Sequence, residues 1–314
     1  MGGQDRGTDG RALLAGVMVP LVTPMDRPGR PSASAADALL GALAATGVRG
    51  LMLFGSNGEG PLLPTAHLGD FAAAVARRWR ELTQDGPVLV NVTAPGTVEA
   101  LARARAVLPA RPDALVLSPP VYFHHRHDEI VAHYAALADL GVPVVAYNAP
   151  RYSNPLTPAL LDALTDLAHV VGVKDSSGDL ALFGHAVAAA RRRPGFGVSQ
   201  GAERQALDAL RLGADGVVPG VANLAPDVAV ELFRAHREGR DGDARHAQHL
   251  LDNVLALHTV RPGVPAVKAV LAARGLCPPH VAMPFTPCSD EERHTLLALL
   301  APLDTHLIGA RTRT

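Results

Sequence analysis

The sequence predicts an α/β fold, a closed (β/α)8 barrel of the TIM type, with a C-terminal helical extension, and three observations predict it. Eight short apolar runs rich in β-branched residues alternate with seven segments of helical period. Most of the runs are continuously apolar rather than alternating, as parallel strands covered by helices must be. The marks of an open nucleotide-binding sheet are missing: no G-x-G-x-x-G follows the first run, and no P-loop occurs anywhere. A chain of 314 residues holds one such barrel, which takes about 250, with some left over.

In chain order the strands are expected at 16–24, 48–56, 88–94, 114–120, 142–150, 170–176, 195–201 and 215–220. Helices are expected between them at 34–46, 65–83, 97–108, 127–140, 157–168, 179–192 and 203–212. Ser34, Thr65, Thr97, Asp128, Thr157 and Asp179 stand where a side-chain oxygen can cap a helix N-terminus. Gly47, Gly141 and Gly213 each precede a strand, where the end of a helix favours a left-handed residue. The basic triplet Arg191–Arg193 falls at a helix end and is read as a complement to its dipole. After residue 225 the strand signal stops, and helices are expected at 226–238, 241–259, 263–274 and 289–302. The domain reading is therefore a disordered segment at 1–13, a barrel at 14–238 and a helical extension at 239–314. No Gly/Ser linker separates the last two, so the extension is expected to pack on the barrel.

Hydrophobic residues make up 48% of the chain and charged ones 19%, a globular composition. The formal net charge of −1 gives no electrostatic footprint for nucleic acid or an anionic membrane surface. Cys277 and Cys288 are too few for a disulfide framework, and their spacing matches no zinc pattern. The first dozen residues lack the apolar run of a signal peptide, and no stretch of about 18 apolar residues follows. A cytoplasmic protein is the expectation. His124, His125 and His127 crowd one loop, but adjacent histidines do not converge on a tetrahedral metal, so a solvated rim loop is expected.

In such barrels the chemistry sits at the C-terminal ends of the strands and in the loops that follow. The polar residues at those ends are Thr23, Ser56, Asn57, Ser118, Tyr122, Tyr147, Asn148, Lys174, Asp175, Ser176 and Gln200. Lys174 is the unusual one, because it lies inside the apolar run VVGVKDS. Desolvation disfavours an ammonium, and the neutral amine is the nucleophile that attacks a carbonyl carbon. Gly172 and Ser176, on the same face, are small and leave room for a ligand, whereas Asp175 points to the other face. A strand-end lysine paired with a carboxylate elsewhere is the competing reading. Tyr147, at the preceding strand end, can reach the same mouth or pack beneath the rim. Gly55-Ser56-Asn57-Gly58 frees the backbone to turn sharply and present N–H groups to a carboxylate, or is an ordinary loop.

Seven strings at these strand ends together resemble one family. They are PLVTP at 20–24, GSNGE at 55–59, SPPVYF at 118–123, YNAP at 147–150, GVKDSSGD at 172–179, GAE at 201–203 and GVVPGVAN at 216–223. The chain resembles the dihydrodipicolinate synthase/N-acetylneuraminate lyase family of pyruvate-dependent class I aldolases, clearly over residues 14–225 and more loosely beyond. The resemblance implies that Lys174 forms a Schiff base with a 2-oxo acid and that Tyr147 is the general acid/base. Ser56 would take the relay hydroxyl position, usually threonine, and Tyr122 would match the relay tyrosine lent across a subunit interface. The amides of Ser56 and Asn57, beside Gly55, would hold the pyruvate carboxylate, with the Val218 carbonyl near the lysine. It also implies a homotetramer of two tight dimers, small-molecule partners only, and chemistry that needs no metal or organic cofactor.

One departure bears on the substrate. Dihydrodipicolinate synthases usually carry an arginine two residues after Y-N-x-P, and here Tyr152 stands there with Arg151 one step earlier. An aldolase for hydroxy-oxo acids or 2-keto-3-deoxy sugar acids is therefore preferred to 4-hydroxy-tetrahydrodipicolinate synthase, with Arg151 a candidate for a distal carboxylate. Two other classes compete. A phosphate-handling barrel enzyme would leave the inward lysine unused, and a non-catalytic binder of 2-oxo acids would not need a proton relay.

Overall fold

The computed structural model describes residues 8–309. Eight parallel strands close into a barrel: β1 (Gly16–Pro20), β2 (Gly50–Leu53), β3 (Val88–Asn91), β4 (Ala114–Leu117), β5 (Val144–Asn148), β6 (Val170–Asp175), β7 (Gly197–Gln200) and β8 (Gly216–Val217). The seam closes where Gly16 and Val17 of β1 pair with Gly216 and Val217 of β8. Asn223 stitches it, accepting from the Val22 N–H and donating to the Pro20 and Gly220 carbonyls. All eight strands expected from the sequence are present, each shorter than its apolar run because the run continues into the rim.

Helices α1 (Gly10–Leu14), α2 (Asp37–Ala44), α3 (Leu68–Thr83), α4 (Thr97–Val107), α5 (His127–Ala135), α6 (Pro158–Thr165), α7 (Leu180–Arg192), α8 (Ala206–Leu212) and α9 (Pro226–Arg237) accompany the barrel. The chain continues through α10 (Asp241–Val254), α11 (Leu257–Val260), α12 (Val264–Ala273) and α13 (Asp290–Leu300). Strand residues split into two apolar layers by the two-residue alternation of side chains. Val17, Val19, Leu51, Leu53, Val88 and Val90 face the helices, while Met18, Met52, Leu89, Val116 and Val145 fill the barrel interior. Burying each such side chain contributes roughly 1.5–3 kcal/mol, so both layers count heavily in the stability of the barrel.

The segment 1–13 is not uniformly disordered as expected. Residues 1–7 lie outside the described residues, but Gly10–Leu14 is helical, with the Asp9 carboxylate accepting from the Arg11 and Ala12 N–H groups. Leu13 and Leu14 belong to the interior layer and plug the lower end of the barrel. Gly10 permits this close approach, since a Cβ there would lie 1.8 Å from the Val171 carbonyl oxygen. Composition misled here: Gly, Asp and Arg suggest a solvated tail, yet two leucines are enough to dock it.

Of the six expected caps, Thr157 and Asp179 accept from the first-turn N–H groups of α6 and α7. The other four do not cap. Short 3-10 turns precede α2 and α3 and displace Ser34 and Thr65, while Thr97 starts α4 and bonds to His133. Asp128 lies inside α5, whose cap residue is Arg126, and there Glu129 accepts from the Arg126 N–H. Gly47, Gly141 and Gly213 do take left-handed φ angles of 81°, 67° and 113°. Arg193 does not serve its own helix: it donates to the carbonyls of Thr165, Leu167, Ala168 and Val170 and fastens the turn before β6. A small antiparallel hairpin, Met25–Arg27 with Arg30–Pro31, was not expected. Among the described residues no single helix is long and apolar enough to cross a membrane.

Candidate active site

The C-terminal mouth of the barrel holds a cavity of about 670 Å³ with Lys174 and Tyr147 at its base. The two are register partners on β6 and β5, so both side chains project to the same side. Val173 packs outward against the helices, and Lys174, one residue on, points inward with 4% of its surface exposed. Its Nζ lies 4.2 Å from the centre of the Tyr147 ring. Gly201 makes the space, because a Cβ there would lie 2.6 Å from Lys174 Cε and 2.2 Å from Ser176 Oγ. Asp175 is turned away, as alternation requires, and accepts from Asn148 Nδ2 at 2.6 Å and Ser177 Oγ at 2.9 Å. Burial pushes its carboxyl above the usual range against those bonds.

Two opposed influences act on Tyr147. Burial pushes the phenol up, but the Lys174 charge and the hydroxyls of Ser56 and Ser176 pull harder, and the net shift is downward. A phenol so placed gives up its proton more readily than free tyrosine, which suits a group that must both take and return a proton.

Ser56 and Asn57 line the cavity from the turn after β2. That turn is tightly wound: the Gly55 carbonyl accepts from the Gly58 and Gly60 N–H groups, and Thr23 Oγ1 donates to the Gly58 carbonyl at 2.6 Å. Gly55 itself is not among the cavity-lining residues; its role is to shape the turn that presents Ser56 and Asn57. Val218 and Arg151 do line the cavity, Arg151 at its exposed rim beside Tyr152. Tyr122 does not. It is 88% exposed at a φ of +81°, its ring edge-on to Phe123, and stands clear of the cavity formed by its own chain.

Reading the sequence missed four contributors. Ser176 was noted as a polar strand-end residue and a small neighbour of Lys174, with no role of its own. Glu203, noted only within the string GAE, faces the cavity while accepting from the Val221 N–H at 2.8 Å. Burial pushes its carboxyl up, with that N–H and the Lys174 charge opposing, and the net is upward. His258 and Phe285 reach the cavity from beyond the barrel. His258 Nδ1 accepts from the Gly263 N–H at 3.2 Å, and burial lowers its affinity for a proton against the Arg261 backbone. Glu203 had a signal, since it follows a strand end directly. The other two had none, because only the folded topology returns them to the mouth. Of the loop histidines, His125 Nδ1 lies 3.5 Å from Glu129, and among the described residues no group of three or more His, Cys, Asp or Glu converges as a metal site.

Fold and cavity define a (β/α)8-barrel protein with one open end and an inward lysine at its base. The dihydrodipicolinate synthetase family pattern matches residues 13–302, and the chain belongs to that family, whose members are carbon–carbon lyases of the aldolase type. An uncharacterized DapA-like lyase from Halobacterium salinarum is 32% identical over 92% of this chain and 94% of its own length. A 4-hydroxy-tetrahydrodipicolinate synthase from Neisseria meningitidis is 28% identical over 92% and 98%. Among solved structures, the family member YagE from E. coli, in complex with pyruvate, superposes with a TM-score of 0.84 at 26% identity, covering 92% of this chain and 98% of that one. Dihydrodipicolinate synthase from Bacteroides thetaiotaomicron superposes with a TM-score of 0.83 at 28% identity over the same shares.

Proposed function

We propose that the protein is a class I aldolase that activates pyruvate, or a related 2-oxo acid, as a Schiff base on Lys174. The observation that carries this reading is the buried Lys174 amine set over the Tyr147 ring at the base of a cavity lined by Ser56 and Asn57. The amine attacks C2 of the oxo acid, and the carbinolamine loses water to give an iminium. Tyr147 shuttles the protons of these steps, helped by Ser56 and by Tyr122 of a second copy. The iminium draws electrons from C3, a C3 proton leaves, and the resulting enamine adds to the carbonyl carbon of an aldehyde. Hydrolysis then frees the product and the lysine; cleavage is the same path reversed. The turn at Ser56–Asn57 holds the oxo acid's carboxylate. Every step is acid–base or covalent chemistry of these side chains, and none calls on a metal or organic cofactor.

A cavity of about 670 Å³ has room for much more than pyruvate. Glu203 offers an acceptor for substrate hydroxyls and Arg151 a cation for a distal carboxylate, a pairing that suits hydroxy-oxo acids and 2-keto-3-deoxy sugar acids. The lysine-pathway synthase reading has the names of several relatives behind it, and Tyr152 in place of arginine against it. The working form in this reading is a homotetramer in the cytoplasm, with Tyr122 completing a neighbour's site. The test is incubation with pyruvate, borohydride reduction and peptide mass spectrometry. A pyruvate adduct on Lys174 is expected. With folded protein and excess pyruvate, an unmodified Lys174 overturns the proposal. Aldehyde screening, with amino-aldehydes and hydroxy-aldehydes compared, then separates the two substrate readings.

A further inference from the structure

The turn that carries Ser56 ends in a charge with no access to water. Glu59 and Lys268 are both fully buried, with Lys268 Nζ 2.5 Å from Glu59 Oε1. The other carboxylate oxygen accepts from the Ala282 N–H at 2.6 Å, and Lys268 also donates to the His280 carbonyl at 2.7 Å. Four groups thus join the β2 turn to α12 and to the 280–282 segment, across 223 residues of sequence in the longest case. Cys277 packs nearby, its thiol pushed up to about 12 by burial, with Lys268 pulling it down and Glu59 pushing it up.

A dry ion pair is a poor source of stability, because desolvating two charges offsets most of their attraction. What it does supply is a fixed geometry, and here the geometry leads to Ser56. The Glu59 N–H donates to the Ser56 carbonyl at 3.2 Å, and Glu59 itself is held in the left-handed region at a φ of 56°. The turn has no slack: a Cβ at Gly60 would lie 1.9 Å from the Phe54 carbonyl oxygen, and one at Gly58 would lie 2.8 Å from the Phe54 nitrogen. A shift at Glu59 is therefore passed to Ser56, three residues away on a rigid arc.

We infer that Glu59 and Lys268 are positioning residues: the buried tie between the β2 turn and α12 sets the place of the Ser56 hydroxyl beside Tyr147. This rests on the reading of Ser56 as a relay hydroxyl. The C-terminal helices then serve the catalytic apparatus although neither member of the pair lines the cavity.

The test uses the full-length double variant Glu59→Leu/Lys268→Met, which removes both charges together and avoids leaving either one buried alone. Two quantities are measured with pyruvate: the fraction trapped on Lys174 by borohydride, and exchange of the methyl protons with deuterium oxide. At saturating pyruvate, where any weakening of the carboxylate site is made up by concentration, trapping should stay near wild type, while exchange per trapped imine falls on the order of 100-fold, as expected for a misplaced proton carrier. In a Ser56→Ala background the same double substitution should cost less than about threefold, because its target is already gone. Exchange within about threefold of wild type, or a full additive loss in the Ser56→Ala background, overturns the inference. Should the double variant not fold, Glu59→Gln/Lys268→Met, which also removes both charges and keeps the bond from Ala282, is read in the same way. Absence of any trapped imine in the wild type sinks the proposed function instead. The tie is then judged by amide exchange over residues 54–63, where faster exchange in the variant supports it and unchanged protection rejects it.

Discussion

The turn after β2 and the loop after β4 both carry a hydroxyl read as part of one proton relay, yet they are built in opposite ways. The β2 turn is wound against its own backbone and pinned from two further sides. Glu59 reaches Lys268, and buried Arg103 donates to the Gly60 and Leu63 carbonyls at 3.0 and 3.1 Å. The β4 loop is held at its shoulders and not at its tip. Asn154 donates to the Pro120 and Phe123 carbonyls and accepts from the His125 N–H, while the Tyr122 ring between them stands in solvent. Its positive φ is a strained state for tyrosine, of the kind that persists when surrounding contacts impose it. One hydroxyl is placed by its own chain. The other is presented outward, away from the cavity of its own chain.

The largest test of that contrast is complementation. Ser56→Ala and Tyr122→Phe should each slow pyruvate proton exchange by about 10²–10⁴-fold. Only the Tyr122 defect should be repaired when that variant is reassembled with Lys174→Ala subunits, because a mixed oligomer rebuilds sites from two chains. Equal failure of both mixtures in a turnover assay breaks the comparison. Next in size is Asn154→Ala, which strips three hydrogen bonds from the β4 loop. A loss of about 3 kcal/mol in a denaturant titration is expected, with proton exchange falling as Tyr122 loses its orientation.

A pH effect follows from beneath the same loop. His133 is 2% exposed and bonded to Thr97, and burial, helped by nearby His125, drives its pKa down to about 4. Its folded value lies below the unfolded one, so its contribution is complete above about pH 6.5 and lost as pH falls toward 4. About 1.5 kcal/mol should be gone by about pH 5.5, and His133→Leu should flatten that limb of the stability curve. A variant as acid-sensitive as wild type removes His133 from the account. The smallest effect is expected at the exposed rim. Arg151→Ala should raise KM for acidic acceptors up to about tenfold and leave neutral ones unchanged; an unaltered KM for every acidic substrate rejects that role.

The sequence made the barrel plain because its signals are local. A continuous apolar run such as VVGVKDS has few alternatives to a covered parallel strand, and Lys174 stands out in it by charge alone. Ser56, Asn57 and Tyr147 were legible once strand ends were located. What stayed hidden depends on contacts without periodicity. Ser34 and Thr65 looked like caps, but 3-10 turns ahead of the helices moved the true ends. Lys268, in the apolar helix VPAVKAVLAA, carries no local sign of its partner, which lies 209 positions away. The docking of α1 was lost behind a polar composition.

That small helix has a kinetic meaning. Leu13 and Leu14 complete the packed interior layer from below, so the upper mouth is the way in and out of the cavity. A molecule joined to Lys174 at the base sits behind whatever enters next. On the proposed mechanism binding is then first in, last out: in the synthetic direction the oxo acid arrives before the aldehyde, and in cleavage the aldehyde leaves before the lysine is cleared.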